Sequence, residues 1–414
     1  MSTITREHLV QSVADALQFI SYYHPADYIR ALGRAYEREQ SPAAKDAIAQ
    51  ILTNSRLCAE GHRPICQDTG IVNVFLKVGM RVRFAFDDLE DAVNEGVRRA
   101  YLDPDNKLRA SVLEGFERKN TKDNTPAVIH VQMVPGDKLE ADVAAKGGGS
   151  EAKSKFVMLN PSDSIVDWVL KTVPTMGAGW CPPGMLGIGI GGTAEKAMLM
   201  AKESLMEPID MAELKARGAR DKLEAMRVEL YDKVNALGIG AQGLGGLSTV
   251  LDVKIRHYPT HAANLPVAMI PNCAATRHAH FVLDGSGPAA FEAPKLSDWP
   301  AVTWTPDTSS KRIDLNKLTR EEVASWKPGQ RLLLNGKLLT GRDAAHKRIQ
   351  DLLDSKKPLP VDFANRVIYY VGPVDPVRGE VVGPAGPTTA TRMDKFTDTM
   401  LGSTGLIAMI GKAE

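Results

Sequence analysis

The sequence has only four cysteines, Cys58, Cys66, Cys181 and Cys273, and no two of them form a CxxC pair. So few thiols exclude a disulfide framework and argue against a zinc ribbon or a thioredoxin-like site. Neither sign of charge is in excess, with 51 basic residues against 50 acidic ones. No global field is left to attract nucleic acid or an anionic membrane, so an anionic ligand must be held by local cations. Long apolar runs are missing too. The most apolar stretch, around Met185 to Met200, is interrupted by Glu195 and Lys196, whereas a membrane span needs about 20 apolar residues. The opening residues, Met1 to His8, lack the basic start and apolar run of a signal peptide. The expected compartment is therefore a reducing cytoplasm. Internal repeats and low-complexity segments are also lacking.

What remains is the composition of a soluble globular protein, 43% hydrophobic and 24% charged over 414 residues. That length exceeds one ordinary core and implies two or three domains. Leu9, Val10, Val13, Leu17 and Ile20 recur at helical spacing, as do Ala47, Ile48, Ile51 and Leu52. Leu214, Leu223, Met226, Leu230 and Val234 predict one long amphipathic helix over 211–236, stopped by Gly238. The runs 70–76 and 127–133 predict strands. Near residue 285 the chain turns rich in Pro, Ser, Asp and Trp. We place a linker at 289–310, between a mixed α/β domain over 1–288 and a smaller β-rich domain over 311–414. In the smaller domain, 331–339 predicts a hairpin about an Asn335-Gly336 turn, and 367–371 predicts a strand.

Cys58 ends a helical apolar pattern and reads as a small core residue. The other three cysteines sit in turn-rich segments: Pro64-Ile-Cys66-Gln-Asp-Thr-Gly70, Gly179-Trp-Cys181-Pro-Pro-Gly184 and Pro271-Asn-Cys273-Ala-Ala-Thr-Arg277. Three loop thiolates far apart in sequence suit an iron–sulfur cluster or a soft metal, although scattered cysteines are more often structural. Gln67 and Asp68 bring an amide and a carboxylate beside Cys66, and Asp-Thr-Gly alone also makes a turn. Lys146-Gly-Gly-Gly-Ser150 exposes backbone N–H groups to an anion, or is a flexible connector. Two G-x-G-x-x-G matches, 187–192 and 238–243, lack the strand and ribose-binding acid of a dinucleotide site. His261 reads as a hydrogen-bonded surface or core residue. Gly386-Pro-Thr-Thr-Ala-Thr-Arg392 suggests a helix capped by Thr388 or Thr389, with Arg392 nearby.

Taken together these segments resemble the class I, iron–sulfur-dependent fumarases. The resemblance rests on the three cysteine segments, Asn120-Thr-Lys-Asp-Asn-Thr-Pro126, Lys146-Gly-Gly-Gly-Ser150, Thr260-His-Ala-Ala-Asn-Leu-Pro266, Gly341-Arg-Asp-Ala-Ala-His-Lys-Arg348 and Gly386-Pro-Thr-Thr-Ala-Thr-Arg-Met-Asp394. They run in the family's order from about residue 60 to the C-terminus. The family's smaller domain extends roughly ninety residues further, on the scale of a domain, so a shortened C-terminal part is expected.

The resemblance implies a hydro-lyase that interconverts fumarate and (S)-malate, a tricarboxylic acid cycle reaction. It implies a 4Fe–4S cluster held by Cys66, Cys181 and Cys273, with one iron open to substrate. By the same motifs, Gln67, Arg109, Gly148, His261, Arg342, Thr389, Arg392 and Lys412 are expected to bind a small dicarboxylate. Thr388 is expected to act as base with Asp68 as proton partner, and the smaller domain to swivel over the substrate. A homodimer is also implied, with neither nucleic acid nor membrane as partner. A tartrate-type or other 2-hydroxydicarboxylate dehydratase is the close alternative. An inactive iron or oxygen sensor is the distant one.

Overall fold

The computed structural model describes residues 1–412. The chain is a mixed α/β protein and divides into two compact units, Met1–Thr303 and Trp304–Glu414.

In the first unit, helices α1 (Arg6–Tyr22), α2 (Ala26–Arg38) and α3 (Pro42–Gly61) open the chain. The Thr5 hydroxyl accepts from the His8 N–H and caps α1. The predicted stripe Leu9, Val10, Val13, Leu17 and Ile20 is buried along its whole length, each side chain contributing about 1.5–3 kcal/mol of transfer free energy. Strand β1 (Ile71–Gly79), helix α4 (Leu89–Leu102) and strands β2 (Val128–Val134), β3 (Leu139–Lys146) and β4 (Lys155–Leu159) follow. Next come β5 (Gly184–Gly191), α5 (Ala194–Ser204), α6 (Met211–Arg217), α7 (Lys222–Ala236), β6 (Val250–Tyr258), β7 (Leu265–Asn272) and β8 (His278–Leu283).

These strands build two four-stranded mixed sheets, in the orders β8-β3-β1-β2 and β6-β5-β7-β4. Val72, Val74 and Leu76 of β1 share the first core with Val10, Val13 and Leu17 of α1 and with Val93 and Val97 of α4. On the second sheet, Leu186, Val253 and Met269 pack with Leu214, Leu230 and Val234 of α6 and α7. Its other face, with Met185, Ala268 and Ile270, packs with Ala197 and Ala201 of α5. Gly187 and Gly189 make that second contact possible. A Cβ would stand 2.1 Å from the Ala201 carbonyl oxygen at Gly187, and 1.9 Å from that of Ala197 at Gly189. The glycine alternation that looked like a nucleotide fingerprint therefore lies within β5 and lets a helix lie close on it.

Two expectations are corrected. The single helix over 211–236 is two helices, because Gly218 (φ 81°) closes α6 and Asp221 caps α7 by accepting from the Glu224 N–H. In the second unit, β9 (Lys311–Asp314) pairs in parallel with β10 (Leu332–Asn335). Strand β11 (Leu339–Thr340) pairs with β12 (Val367–Tyr369), which also pairs with β13 (Ala408–Ile410). Asn335-Gly336 thus leads from one sheet to another and does not close a hairpin. Helix α8 (Asp343–Asp354) lies between β11 and β12 in the chain. Ile349, Phe363, Ile368, Met393 and Met400 form a core of this unit.

Candidate active site

Strand register gathers four loops of the first unit at one place. Ile71, at the start of β1, pairs with Lys146, at the end of β3, so the loops 64–70 and 147–150 meet. His278, at the start of β8, pairs with Ala144 near the same end of β3. On the second sheet, Met185 pairs with Asn272, which brings the segment before β5 to the segment after β7. Residues 273–277 carry the chain from the second sheet to the first. Cys66, Cys181 and Cys273 therefore share one end of both sheets, although their sequence positions are far apart.

Main-chain contacts fix these loops. The Ala274 N–H donates to the Cys181 carbonyl oxygen at 2.9 Å, and the Ala145 N–H donates to that of Arg277 at 3.1 Å. The Tyr28 hydroxyl donates to the Ala274 carbonyl oxygen at 2.9 Å. Cys181 itself has a left-handed backbone (φ 58°), uncommon for a residue with a Cβ. At Gly184 a Cβ would come within 1.8 Å of the Asn272 carbonyl oxygen, so only glycine lets these two thiol-bearing segments approach.

The thiols fall into two kinds. Cys58 is buried, whereas Cys66, Cys181 and Cys273 are each partly exposed. Burial pushes the Cys58 thiol up to about 12, the state of an inert core residue. Burial also pushes Cys66 up to about 12, but Arg277 opposes it while Asp68 and Cys273 add to it. Cys273 is raised by burial and by Cys181, and lowered by Arg277 and Lys146. Cys66 thus feels the charge of Cys273, and Cys273 that of Cys181. Soft thiolates close together, with cations beside them, fit an iron–sulfur centre in which each thiolate holds its own iron. Among the described residues, no three His, Cys, Asp or Glu side chains converge as the ligands of a single ion would.

Around the thiols, Asp68 Oδ2 accepts from the Gly148 N–H at 2.8 Å and Oδ1 from the Gly70 N–H at 3.2 Å. Gly147 caps the short helix Gly148–Glu151, so the glycine run does present an N–H to an anion. Gln67 is buried, and its Oε1 lies 3.2 Å from Cys66 Sγ. The Arg109 carbonyl oxygen accepts from the Thr69 hydroxyl, which places Arg109 next to the same loop. His261 stands apart. It is exposed at the turn between β6 and β7, in an open cleft of about 820 Å³ with Lys196 and Tyr258. The eight residues of β7 separate it from Cys273, about 26 Å at the usual rise. This chain does not bring its own His261 to its thiols.

The second unit gathers the other predicted residues. Arg342 Nη1 donates to the Thr388 hydroxyl at 3.4 Å, and Thr388 is only 7% exposed. Thr389 bridges to Lys412 in parallel, and the Lys412 N–H donates to the Thr388 carbonyl oxygen at 3.0 Å. Arg392 reaches Asp343 at 2.7 Å, the residue after Arg342. Neither threonine side chain caps a helix. Thr389 precedes the 3-10 helix Ala390–Phe396 without a side-chain cap bond, and Thr388 faces Arg342.

Two buried cations escaped the sequence reading. Lys146 donates to the Ser150 hydroxyl at 3.0 Å and to the Pro271 carbonyl oxygen, and burial lowers it to about 8. Arg277 is 4% exposed. Both lie inside the quoted motifs, but a lysine or arginine in a sequence is taken as exposed unless its burial is known.

Fold and site together define an α/β protein of two units, with three clustered thiols in one and a threonine–arginine–lysine set in the other. Residues 10–282 match the family model described as fumarate hydratase (Fumerase), and residues 285–414 match the fumarase C-terminus. The chain belongs to the fumarate hydratase family. It is 30% identical over 409 residues to fumarate hydratase class I, anaerobic, of Escherichia coli strain K12, covering 94% of this chain and 73% of that protein. With fumarate hydratase 2 of Leishmania major it shares 31% over 404 residues, 92% of this chain and 70% of that one. A putative L(+)-tartrate dehydratase subunit alpha of Methanocaldococcus jannaschii is 36% identical over 277 residues, covering 64% of this chain and 94% of that protein.

Proposed function

We propose that the chain is a hydro-lyase that interconverts fumarate and (S)-malate, with an iron–sulfur cluster held by Cys66, Cys181 and Cys273. The observation that carries this reading is the meeting of these three partly exposed thiols at one end of both sheets, beside Asp68. When bound, a cluster with three protein ligands supplies an iron with an open position, a Lewis acid for a hydroxyl and a carboxylate.

The chain's own residues account for the rest of the chemistry. Dehydration removes a weakly acidic C–H proton beside a carboxylate. Cations must neutralise the charge that builds there. Arg109, Arg342, Arg392 and Lys412 are suited to the two carboxylates, the arginines by bidentate bonds. Thr388 is the proposed base. Its hydroxyl is held by Arg342, and a guanidinium beside it favours the alkoxide over the neutral hydroxyl. Asp68, its carboxylate oriented by two backbone N–H groups, is the proposed proton partner. Gln67 contributes a neutral amide donor, and Gly148 acts through Asp68, to which its N–H donates. A second copy of the chain would be needed to deliver His261, which supports the proposed homodimer.

A tartrate-type substrate is the second reading, favoured by the 36% identity with the tartrate dehydratase subunit. The test is to load the full chain with iron and sulfide without air and follow fumarate hydration and L-tartrate dehydration side by side. Faster fumarate turnover supports the proposal. Tartrate turnover alone replaces the substrate but keeps the site.

A further inference from the structure

Lys146 has no part in the mechanism above, yet this last residue of β3 is a cation only 3% exposed. Among the described residues its ammonium forms no ion pair and meets two neutral acceptors, the Ser150 hydroxyl at 3.0 Å and the Pro271 carbonyl oxygen. An ammonium can only donate. The Ser150 oxygen is therefore the acceptor of that bond, and its own proton points elsewhere. It goes to the Gly147 carbonyl oxygen at 3.2 Å. Ser150 is itself 2% exposed, which keeps bulk water from competing for this proton. The Glu151 N–H, at 3.0 Å, is a second donor to the same oxygen. The Gly147 carbonyl and the Gly148 N–H are two ends of one planar peptide group, so fixing the oxygen fixes the direction of the N–H. That N–H donates to Asp68 Oδ2 at 2.8 Å. Donor follows donor from a buried cation to a carboxylate, and bonds aligned in this way polarise and strengthen one another.

We propose that Lys146 and Ser150 are positioning residues for Asp68. Through the peptide group between Gly147 and Gly148 they hold an N–H on its carboxylate, and so keep that carboxylate in one orientation for proton transfer. Gly148 is exposed. Without the chain its N–H would turn to water, and Asp68 would keep only the bond from the Gly70 N–H. This rests on the proton-transfer role given to Asp68 under the proposed function. Orientation of a proton-transfer group matters to the reacting step more than to binding, so its loss should fall on kcat.

The experiment compares anaerobically loaded wild-type chain, Ser150→Ala, Ser150→Thr, Lys146→Met and Asp68→Asn, with the double variants, by kinetics, iron content and amide hydrogen exchange. Ser150→Ala is expected to lower kcat by about tenfold or more, with KM within about threefold of wild type and iron content unchanged. Ser150→Thr keeps the hydroxyl and should hold kcat within about threefold of wild type. Lys146→Met should lower kcat as Ser150→Ala does, and add less than about threefold to it. On Asp68→Asn, Ser150→Ala should likewise add less than about threefold, because both act through one carboxylate. The Gly148 amide proton should exchange about tenfold faster or more in Ser150→Ala, while the amides of β3 keep wild-type protection. Wild-type kcat in Ser150→Ala, a change confined to KM, or losses that multiply with that of Asp68→Asn would overturn the inference alone. Lost iron or unprotected β3 amides in Ser150→Ala would also overturn it, by making the hydroxyl a structural prop. Wild-type turnover in Asp68→Asn, or no turnover in the wild-type chain, would instead overturn the proposed function, and this inference with it.

Discussion

The main-chain N–H of Gly148 donates to Asp68 Oδ2 at 2.8 Å across 80 residues of sequence. With the Gly70 N–H on Oδ1, both oxygens of one carboxylate are fixed by backbone that the strand pairing itself places. A proton-transfer group held this way needs no reorganisation when it acts.

Asp68→Asn tests that role. The amide keeps one acceptor for the two backbone donors, so the fold should survive with little change in melting temperature. The value of kcat/KM should fall by about 10²–10⁴, the usual worth of a positioned acid or base. A loss under threefold would remove Asp68 from the reaction.

Arg342 and Thr388 should separate in their kinetics. Thr388→Ala removes the proposed base and is expected to lower kcat by about 10²-fold or more. Arg342→Gln removes a carboxylate partner as well as the contact to Thr388. It should raise KM for the dicarboxylate, with kcat/KM down about 10–100-fold, the scale of a hydrogen bond to a charged group. If Thr388→Ala changes KM alone, the base lies elsewhere.

Gly184→Ala should break the approach of the Cys181 and Cys273 segments. Its Cβ would stand 1.8 Å from the Asn272 carbonyl oxygen, and a backbone atom cannot swing aside as a side chain can. We expect a loss of at least about 2 kcal/mol of stability and reduced iron uptake. Unchanged melting and unchanged iron content would show that the segments relax freely.

Much of this was legible in the sequence, and the misses have physical causes. The stripe Leu9-Val10-Val13-Leu17-Ile20 is local and periodic, so α1 could be read directly. The turn-rich context that set Cys66, Cys181 and Cys273 apart from Cys58 agrees with their partial exposure. Asn335-Gly336 marks a turn, but nothing local says which sheet the next strand joins. The helix break at Gly218 was masked by apolar periodicity on both sides of it. His261 followed from a motif, and a motif carries no information about which end of a strand a residue occupies. Arg277 and Lys146 were hidden because burial of a charge is a tertiary property.

His24 gives the fold a pH dependence. It sits between α1 and α2 with Nδ1 2.7 Å from the Ser55 hydroxyl, which also accepts from Trp299 Nε1 at 2.9 Å. Burial lowers it from 6.5 to about 3, against a weaker upward pull from the Ala274 backbone and with Arg277 lowering it further. The unfolded chain therefore binds the proton more readily between these values. Stability is full above pH 6.5 and is lost as pH falls toward 3. Wild type should lose about 2 kcal/mol between pH 7 and pH 5 through this group, and His24→Gln should flatten that slope. Parallel melting curves for the two proteins over this range would contradict the assignment.

The most direct measurement is iron and sulfide content together with fumarate hydration in anaerobically loaded wild type, Cys58→Ser and Cys181→Ser. The account predicts about four irons and four sulfides per chain and full activity in wild type and Cys58→Ser. In Cys181→Ser it predicts loss of both. Activity that survives Cys181→Ser, or that is lost equally in Cys58→Ser, would contradict a cluster held by the three loop thiols.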